Sequence, residues 1–207
     1  RNKIIAALDK AYELAIPNLT ELFPTGKTAI VFDTSGSMTG DSCKVNGKPI
    51  GKVPAEKSAL VAATLSKGIA ADVFHFASSC AQINAFNPID SVNTNKQKFM
   101  GYNGVLGHGT AFDSIFRTLG QYDRVFIISD MQGGDSLTYG SDYQAYCKKF
   151  GTPYIYTVNI AGYGTTMFKP TNKLIQLFGY SADIYEYIKK AEVDIKAVLK
   201  EIEKIRI

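Results

Sequence analysis

Residues 28–38 read Thr-Ala-Ile-Val-Phe-Asp-Thr-Ser-Gly-Ser-Met, and this stretch constrains the chain more than any other. An unbroken apolar run, 29–32, stops at a carboxylate, Asp33, and hydroxyls follow at alternate positions, Ser35 and Ser37. A short apolar run before a Gly-containing polar turn predicts a strand buried on both faces. In open α/β sheets, ligands bind just outside the carboxyl ends of such strands. Asp33, Ser35 and Ser37 therefore share one loop at the place where this architecture puts its chemistry. Oxygen donors without Cys or His suit a hard cation, Mg²⁺ with Mn²⁺ or Ca²⁺ as alternatives, rather than zinc.

Two further segments carry related signals. Residues 125–128, Val-Phe-Ile-Ile, form a second buried-strand run, followed by Ser129 and a second strand-end carboxylate, Asp130. Between the two runs, residues 104–110 read Gly-Val-Leu-Gly-His-Gly-Thr and form a loop of closely spaced glycines. Such a loop can carry the Thr110 hydroxyl to a metal or bind phosphate through its backbone N–H groups. It lacks the Lys-Ser/Thr ending of a P-loop. His108 reads as an exposed loop histidine able to reach a ligand at the rim, and Asp113 as a spare carboxylate near the site.

The D-x-S-x-S pattern of Asp33, Ser35 and Ser37, with Gly109-Thr110 and Asp130 in that order, resembles the metal-ion-dependent adhesion site of von Willebrand factor A domains. The resemblance implies a doubly wound, mostly parallel, Rossmann-like α/β sheet flanked by helices. It also implies that Ser35, Ser37 and Thr110 ligate the ion directly, while Asp33 and Asp130 act mainly through water. Neutral hydroxyls leave a dication under-neutralised, so its open position attracts an acidic side chain from a partner.

The resemblance extends beyond the site. The lead-in helix, Pro24-Thr25-Gly26-Lys27 before the first strand, and Gly179-Tyr180 before the final helix are similar to the Ro autoantigen family of TROVE-module proteins. In that family a ring of helical repeats, which holds small non-coding or misfolded RNA, precedes an A domain. Two departures stand out: the connection 39–53 is long, and His108 replaces the usual glycine before Gly109-Thr110. The expected function is a metal-binding interaction or scaffold domain of a Ro-like RNA-binding ribonucleoprotein, reaching an acidic partner group through the metal.

The remaining sequence fits an alternation of helices and strands. Residues 2–16 have helical spacing, with Pro17 expected to end the helix; residues 1–20 are read as an attachment leading from an absent helical-repeat domain, and 21–207 as the A domain. Asn46-Gly47 predicts a hairpin turn, and Lys44, Lys48 and Lys52 give this connection a basic face. A helix is expected over 54–70, strands over 71–77 and 81–86, and a helix over 93–100. His75, inside the strand 71–77, reads as a packed histidine. Helices over 111–119 and 142–150, strands over 154–160 and 174–178, and a long amphipathic helix over 183–205 complete the pattern.

Bulk properties exclude little. The 207 residues carry a mild net charge of +4 and 45% hydrophobic residues, suiting one globular domain with an ample core. Three scattered cysteines read as reduced thiols of a cytoplasmic protein, and no stretch approaches the roughly 20 apolar residues of a membrane span. The chain begins at Arg1 within what reads as helix, and is expected to be a piece of a longer protein.

Catalysis fits poorly. Asp33-Thr34-Ser35-Gly36 resembles half of a pepsin-like protease site, but Asp130-Met131-Gln132 does not supply the second half. A haloacid-dehalogenase phosphatase places a second carboxylate two residues after its first, where this chain has Ser35, leaving no agent for proton transfer. The rival to the metal-bridged reading is direct RNA contact by this chain through Lys44, Lys48, Lys52, Lys169 and Lys173, if these cluster around the rim. No interleaved Arg/aromatic run accompanies them.

Overall fold

The computed structural model describes residues 2–22, 25–39, 44–45, 48–49, 53–133, 140–162, 167–169, 171–179, 184 and 186–192. Helix α1 (Asn2–Leu22) precedes β1 (Thr28–Asp33), the one-turn α2 (Gly36–Thr39), β2 (Lys44–Val45) and β3 (Lys48–Pro49). Then come α3 (Pro54–Gly68), β4 (Asp72–Phe76), β5 (Cys80–Gln82), α4 (Val92–Met100) and α5 (Asp113–Thr118). Strand β6 (Arg124–Ser129), α6 (Ser141–Phe150), β7 (Tyr154–Asn159) and β8 (Leu174–Phe178) follow, and residues 184 and 186–192 are helical.

Six strands make one sheet in the order β5-β4-β1-β6-β7-β8, parallel throughout except for the antiparallel edge strand β5. All residues of β1 and β6 are buried, as central parallel strands covered on both faces require. Side chains alternate between two cores. Ile30, Phe32, Phe126, Ile128, Tyr156 and Val158 share one core with residues of α3, α4 and the last helix, while Ala29, Val31, Val125, Ile127 and Ile155 share the other with residues of α5 and α6. Helix α3 begins with Pro54, whose missing N–H is harmless in a first turn, and buries small residues, Ala59, Ala62 and Ala63, against the sheet. Helix α4 is capped by Ser91, whose hydroxyl accepts the Thr94 N–H at 3.1 Å.

The small hairpin is formed as the Asn-Gly turn predicts: Lys44 pairs with Pro49 and Val45 with Lys48. Two boundaries differ from expectation. Helix α1 does not end at Pro17 but runs to Leu22. Pro17 removes the hydrogen bond owed to the Glu13 carbonyl, ordinarily a loss of about 3 kcal/mol. Tertiary anchors hold this helix to the domain: Ile16 is buried, the Glu13 carboxylate pairs with Lys67 Nζ at 2.5 Å, and Asp9 accepts from Asn93 at 2.7 Å. Strand β5 is shorter than 81–86, because past Ile83 the Ala85 carbonyl turns to Lys98 Nζ at 3.1 Å instead of a strand. Of the long final helix, 183, 185 and 193–205 lie outside the described residues.

That last helix is fastened at the amino ends of the central strands. Arg124, 2% exposed, directs Nε and Nη2 at the two carboxylate oxygens of Glu192, and Nη1 donates to Thr28 Oγ1 at 2.9 Å. Tyr156 donates its hydroxyl to Glu192 at 3.0 Å. Removing one partner of such a pair strands a buried charge, which typically costs about 3–5 kcal/mol. Glu192→Gln should therefore lower the unfolding free energy in urea by about that amount, whereas Arg124→Met combined with Glu192→Leu should recover much of the loss.

Candidate metal centre

Strands β1 and β6 are neighbours, yet the chain leaves them in opposite directions: from β1 toward β4 and β5, from β6 toward β7 and β8. Loops that part in this way open a crevice at the carboxyl ends of the strands. Asp33 ends β1 and Asp130 follows β6, so both expected carboxylates stand at this switch point.

Asp33 has no solvent exposure. Its Oδ1 accepts the Ser35 N–H at 2.8 Å, and its Oδ2 accepts the Ser129 hydroxyl at 2.5 Å. Burial pushes the Asp33 carboxyl up from its ordinary 3.8 to about 6; the hydrogen bonds from Ser129 and Ser35 oppose the rise, and the neighbouring Asp130 charge adds to it. Ser35 is buried and Ser37 exposed, with their hydroxyl oxygens 3.2 Å apart. Asp130 is also fully buried: Oδ1 accepts the Gln132 N–H at 3.0 Å, while among the described residues Oδ2 has no hydrogen-bond partner. Met131, next in the chain, takes a positive φ of 58° and donates its N–H to Ser129 Oγ at 3.0 Å.

The glycine loop is tied to this centre through its backbone. Gly104 donates to the Thr34 carbonyl at 3.2 Å, and Gly36 donates to the His108 carbonyl at 3.0 Å. The approach at Gly36 is close: a Cβ there would lie 3.3 Å from His108 Cβ, so a larger residue between the two serines would push the His108 segment outward. Beyond Thr110, Ala111 donates to the Ala77 carbonyl at the end of β4 at 2.8 Å. Thr110 is half-buried, and among the described residues no hydrogen bond engages its hydroxyl. The five expected ligands thus come from the end of β1 with the turn and α2 after it, the glycine loop, and the residue after β6, all at the carboxyl end of the sheet.

The donors fit a hard dication. Two buried carboxylates, one retaining an unpartnered oxygen and the other raised by burial, stand beside three hydroxyls. Among the described residues no group of three His, Cys, Asp or Glu gathers, so the hydroxyls are integral to any such site.

The rim residues fare differently. His108 is exposed beside Gly36. Asp113 is engaged elsewhere: its carboxylate accepts the N–H groups of Asp142 and Tyr143 at 3.4 and 3.3 Å, holding the start of α6. Lys44 and Lys48 open the two hairpin strands, and Lys52 lies outside the described residues. Lys169 is exposed. Lys173 does not reach the rim. It precedes β8, hence stands at the amino end of the sheet, where its Nζ donates to the Thr152 carbonyl at 2.9 Å and lies 5.3 Å from the Tyr154 ring centre. Cys80 and Cys147 are free thiols. Sequence reasoning missed Ser129, although a hydroxyl closing an apolar run one residue before Asp130 was a usable signal.

No protein-family model matches this chain, and no curated protein sequence matches it. Among solved structures it is similar to the Ro (RSR) protein of Deinococcus radiodurans, with a TM-score of 0.65 and 18% identity over 91% of this chain. The fold is of the von Willebrand factor A type. The chain spans 38% of the Deinococcus protein's length. It is also similar to the conserved hypothetical protein BatB of Bacteroides thetaiotaomicron, with a TM-score of 0.51 and 14% identity over 84% of this chain and all of the other. Among the described residues no helix is long and apolar enough to cross a membrane.

Beneath the centre lies His75, 2% exposed, with Tyr102 4.7 Å and Phe32 6.4 Å away between ring centres. The Thr34 hydroxyl donates to the Phe76 carbonyl at 3.1 Å and lies 3.2 Å from His75 Nδ1. With its proton on the Phe76 carbonyl the oxygen accepts from a ring protonated at Nδ1; turned toward the ring, the same hydroxyl donates to the other tautomer. Burial lowers His75 from 6.5 to about 4. The unfolded chain therefore takes up a proton below pH 6.5 that the native state refuses until about pH 4, so the stability linked to His75 is complete above 6.5 and is lost as pH falls through that window. Denaturant titrations in chelator should show the stability gap between wild type and His75→Gln narrowing from pH 7 to pH 4.

Proposed function

We propose that this chain is a divalent-metal-binding interaction domain of a Ro-like RNA-binding protein, acting by binding and not by catalysis. The observation that carries the reading is the unpartnered, fully buried Asp130 Oδ2 at the switch point, beside Asp33. An orphaned buried carboxylate oxygen is costly unless a cation or ordered water completes it. Asp33, Ser35, Ser37, Thr110 and Asp130 would hold the ion, Mg²⁺ or in its place Mn²⁺ or Ca²⁺. The ion supplies an electrophilic position for the carboxylate of an acidic protein partner. The chain's own residues would fix the hydroxyls, keep the two aspartates dry and close to each other, and present Ser37 and His108 at the rim.

The Ro-like context rests on the likeness to the Deinococcus Ro protein together with the sequence features around Pro24–Lys27 and Gly179-Tyr180. In this reading small non-coding or misfolded RNA is held elsewhere in the parent protein, in the cytoplasm, and the present domain contributes a protein contact. Lys173, turned toward Thr152 and Tyr154 at the opposite end of the sheet, weakens the reading in which rim lysines bind RNA directly.

The test is a melting series in chelator and in millimolar Mg²⁺, Mn²⁺ and Ca²⁺, on wild type and Asp33→Asn. An ion at ten times its dissociation constant stabilises the native state by about 1.4 kcal/mol, which for a domain of this size is a shift of roughly 3–6 °C. The shift should appear in wild type and vanish in the variant. Equal melting temperatures in all conditions, together with partner binding that survives chelator, would replace this reading with a metal-free scaffold.

A further inference from the structure

The loop that carries Thr110 is fastened on its outer side by one residue that belongs to none of the three site segments. Ser78 lies in the turn between β4 and β5, where Ala77 donates to the Ser79 carbonyl at 2.8 Å. The Ser78 N–H donates to the Leu106 carbonyl at 3.1 Å, and the Ser78 hydroxyl oxygen accepts the Gly109 N–H, also at 3.1 Å. Its neighbour Ala77 accepts from Ala111 at 2.8 Å. Thr110 is thus suspended between two residues, Gly109 and Ala111, that are both bonded to the same turn.

The glycines of the loop fit this contact. A Cβ on Gly107 would come within 2.8 Å of Ser78 Oγ, and one on Gly109 within 2.9 Å, both closer than real Cβ contacts allow. Gly107 also has φ +88°, which L side chains rarely adopt. A side chain at either position would therefore displace the Ser78 hydroxyl from its place against the loop, while the Thr110 hydroxyl stays free of protein hydrogen bonds among the described residues.

We infer that Ser78 is a positioning residue for the metal centre: its hydroxyl holds the Gly109 amide so that Thr110 is presented to the ion before the ion arrives. The inference rests on the metal-binding reading above and adds to it the residue that preorganises one ligand. A ligand loop that is open part of the time weakens apparent affinity by the fraction of time it is closed. Losing the Ser78 bond, at the ordinary net worth of one hydrogen bond, should then weaken metal binding by up to about fivefold, the limit reached when the loop is mostly open without it. Because the position is exposed, the metal-free melting temperature should move by no more than about 1–2 °C.

The experiment uses the present chain, with Mn²⁺ as the probe, its affinity read by electron paramagnetic resonance and Gly109 and Thr110 amide exchange read in chelator. Ser78→Ala should weaken Mn²⁺ binding and speed exchange of the Gly109 amide with little change in metal-free melting. Gly109→Ala should harm Mn²⁺ binding more in wild type than in the Ser78→Ala background, since the collision needs the hydroxyl. If wild type binds Mn²⁺ and Ser78→Ala binds it equally well, the positioning role is overturned and the metal centre stands. If wild type binds no Mn²⁺ at all, the metal-binding reading falls and this inference with it. Weakened binding accompanied by a large drop in metal-free melting, with additive effects of the two substitutions, would reduce Ser78 to a general structural contact and also overturn it.

Discussion

A carboxylate with no access to solvent at the end of a central strand is the constraint on which the rest of this molecule turns. Asp33 can be charged there only because the Ser129 hydroxyl and the Ser35 amide donate to it, and even so its burial holds the group up at about 6. Each donor comes from a segment that must be in place first: Ser129 from the adjacent strand in register, Ser35 from the turn that Gly36 permits. The site and the sheet are therefore one arrangement. A slip of one residue between β1 and β6 would remove the Ser129 hydroxyl from Asp33 and turn the apolar set of the strand to the wrong face.

The two ends of the sheet have different tasks. At the amino ends, Arg124, Glu192, Thr28 and Tyr156 form a buried, mutually satisfied ionic cluster that fastens the last helix. At the carboxyl ends, Asp130 Oδ2 is buried and has no hydrogen-bond partner among the described residues. Both ends bury charge, but one is complete within the protein and the other is not. The contrast in hydrogen-bond satisfaction separates a structural ion pair from a carboxylate that its own protein leaves incomplete, which is the observation behind the proposed metal site.

Much of this was legible in the chain because parallel central strands leave a strong local signature. The apolar runs 29–32 and 125–128, each ending at or near an aspartate, placed β1 and β6 correctly, and Asn46-Gly47 placed the hairpin. Less legible were features in which a distant residue overrides a local rule. Pro17 should stop a helix, yet α1 continues while Lys67 and the core hold its neighbours Glu13 and Ile16. The alternation over 81–86 looks like a strand, but Lys98 claims the Ala85 carbonyl. Asp113 looks like a spare site carboxylate, and the start of α6 takes it.

The sequence by itself determined the class of fold, the order of its strands along the chain, and which side chains at strand ends are hard oxygen donors. These follow from residue type and short-range period, which are properties of a few consecutive residues. The tertiary structure decided the order of strands across the sheet, and with it that Asp33 and Asp130 flank one crevice. It also decided that the Ser129 hydroxyl donates to Asp33, that Lys173 faces away from the site, and that Ser78 holds the loop of Thr110. Each of those facts joins groups far apart in the chain, and such contacts exist only once the strands have paired and the helices have closed over both faces.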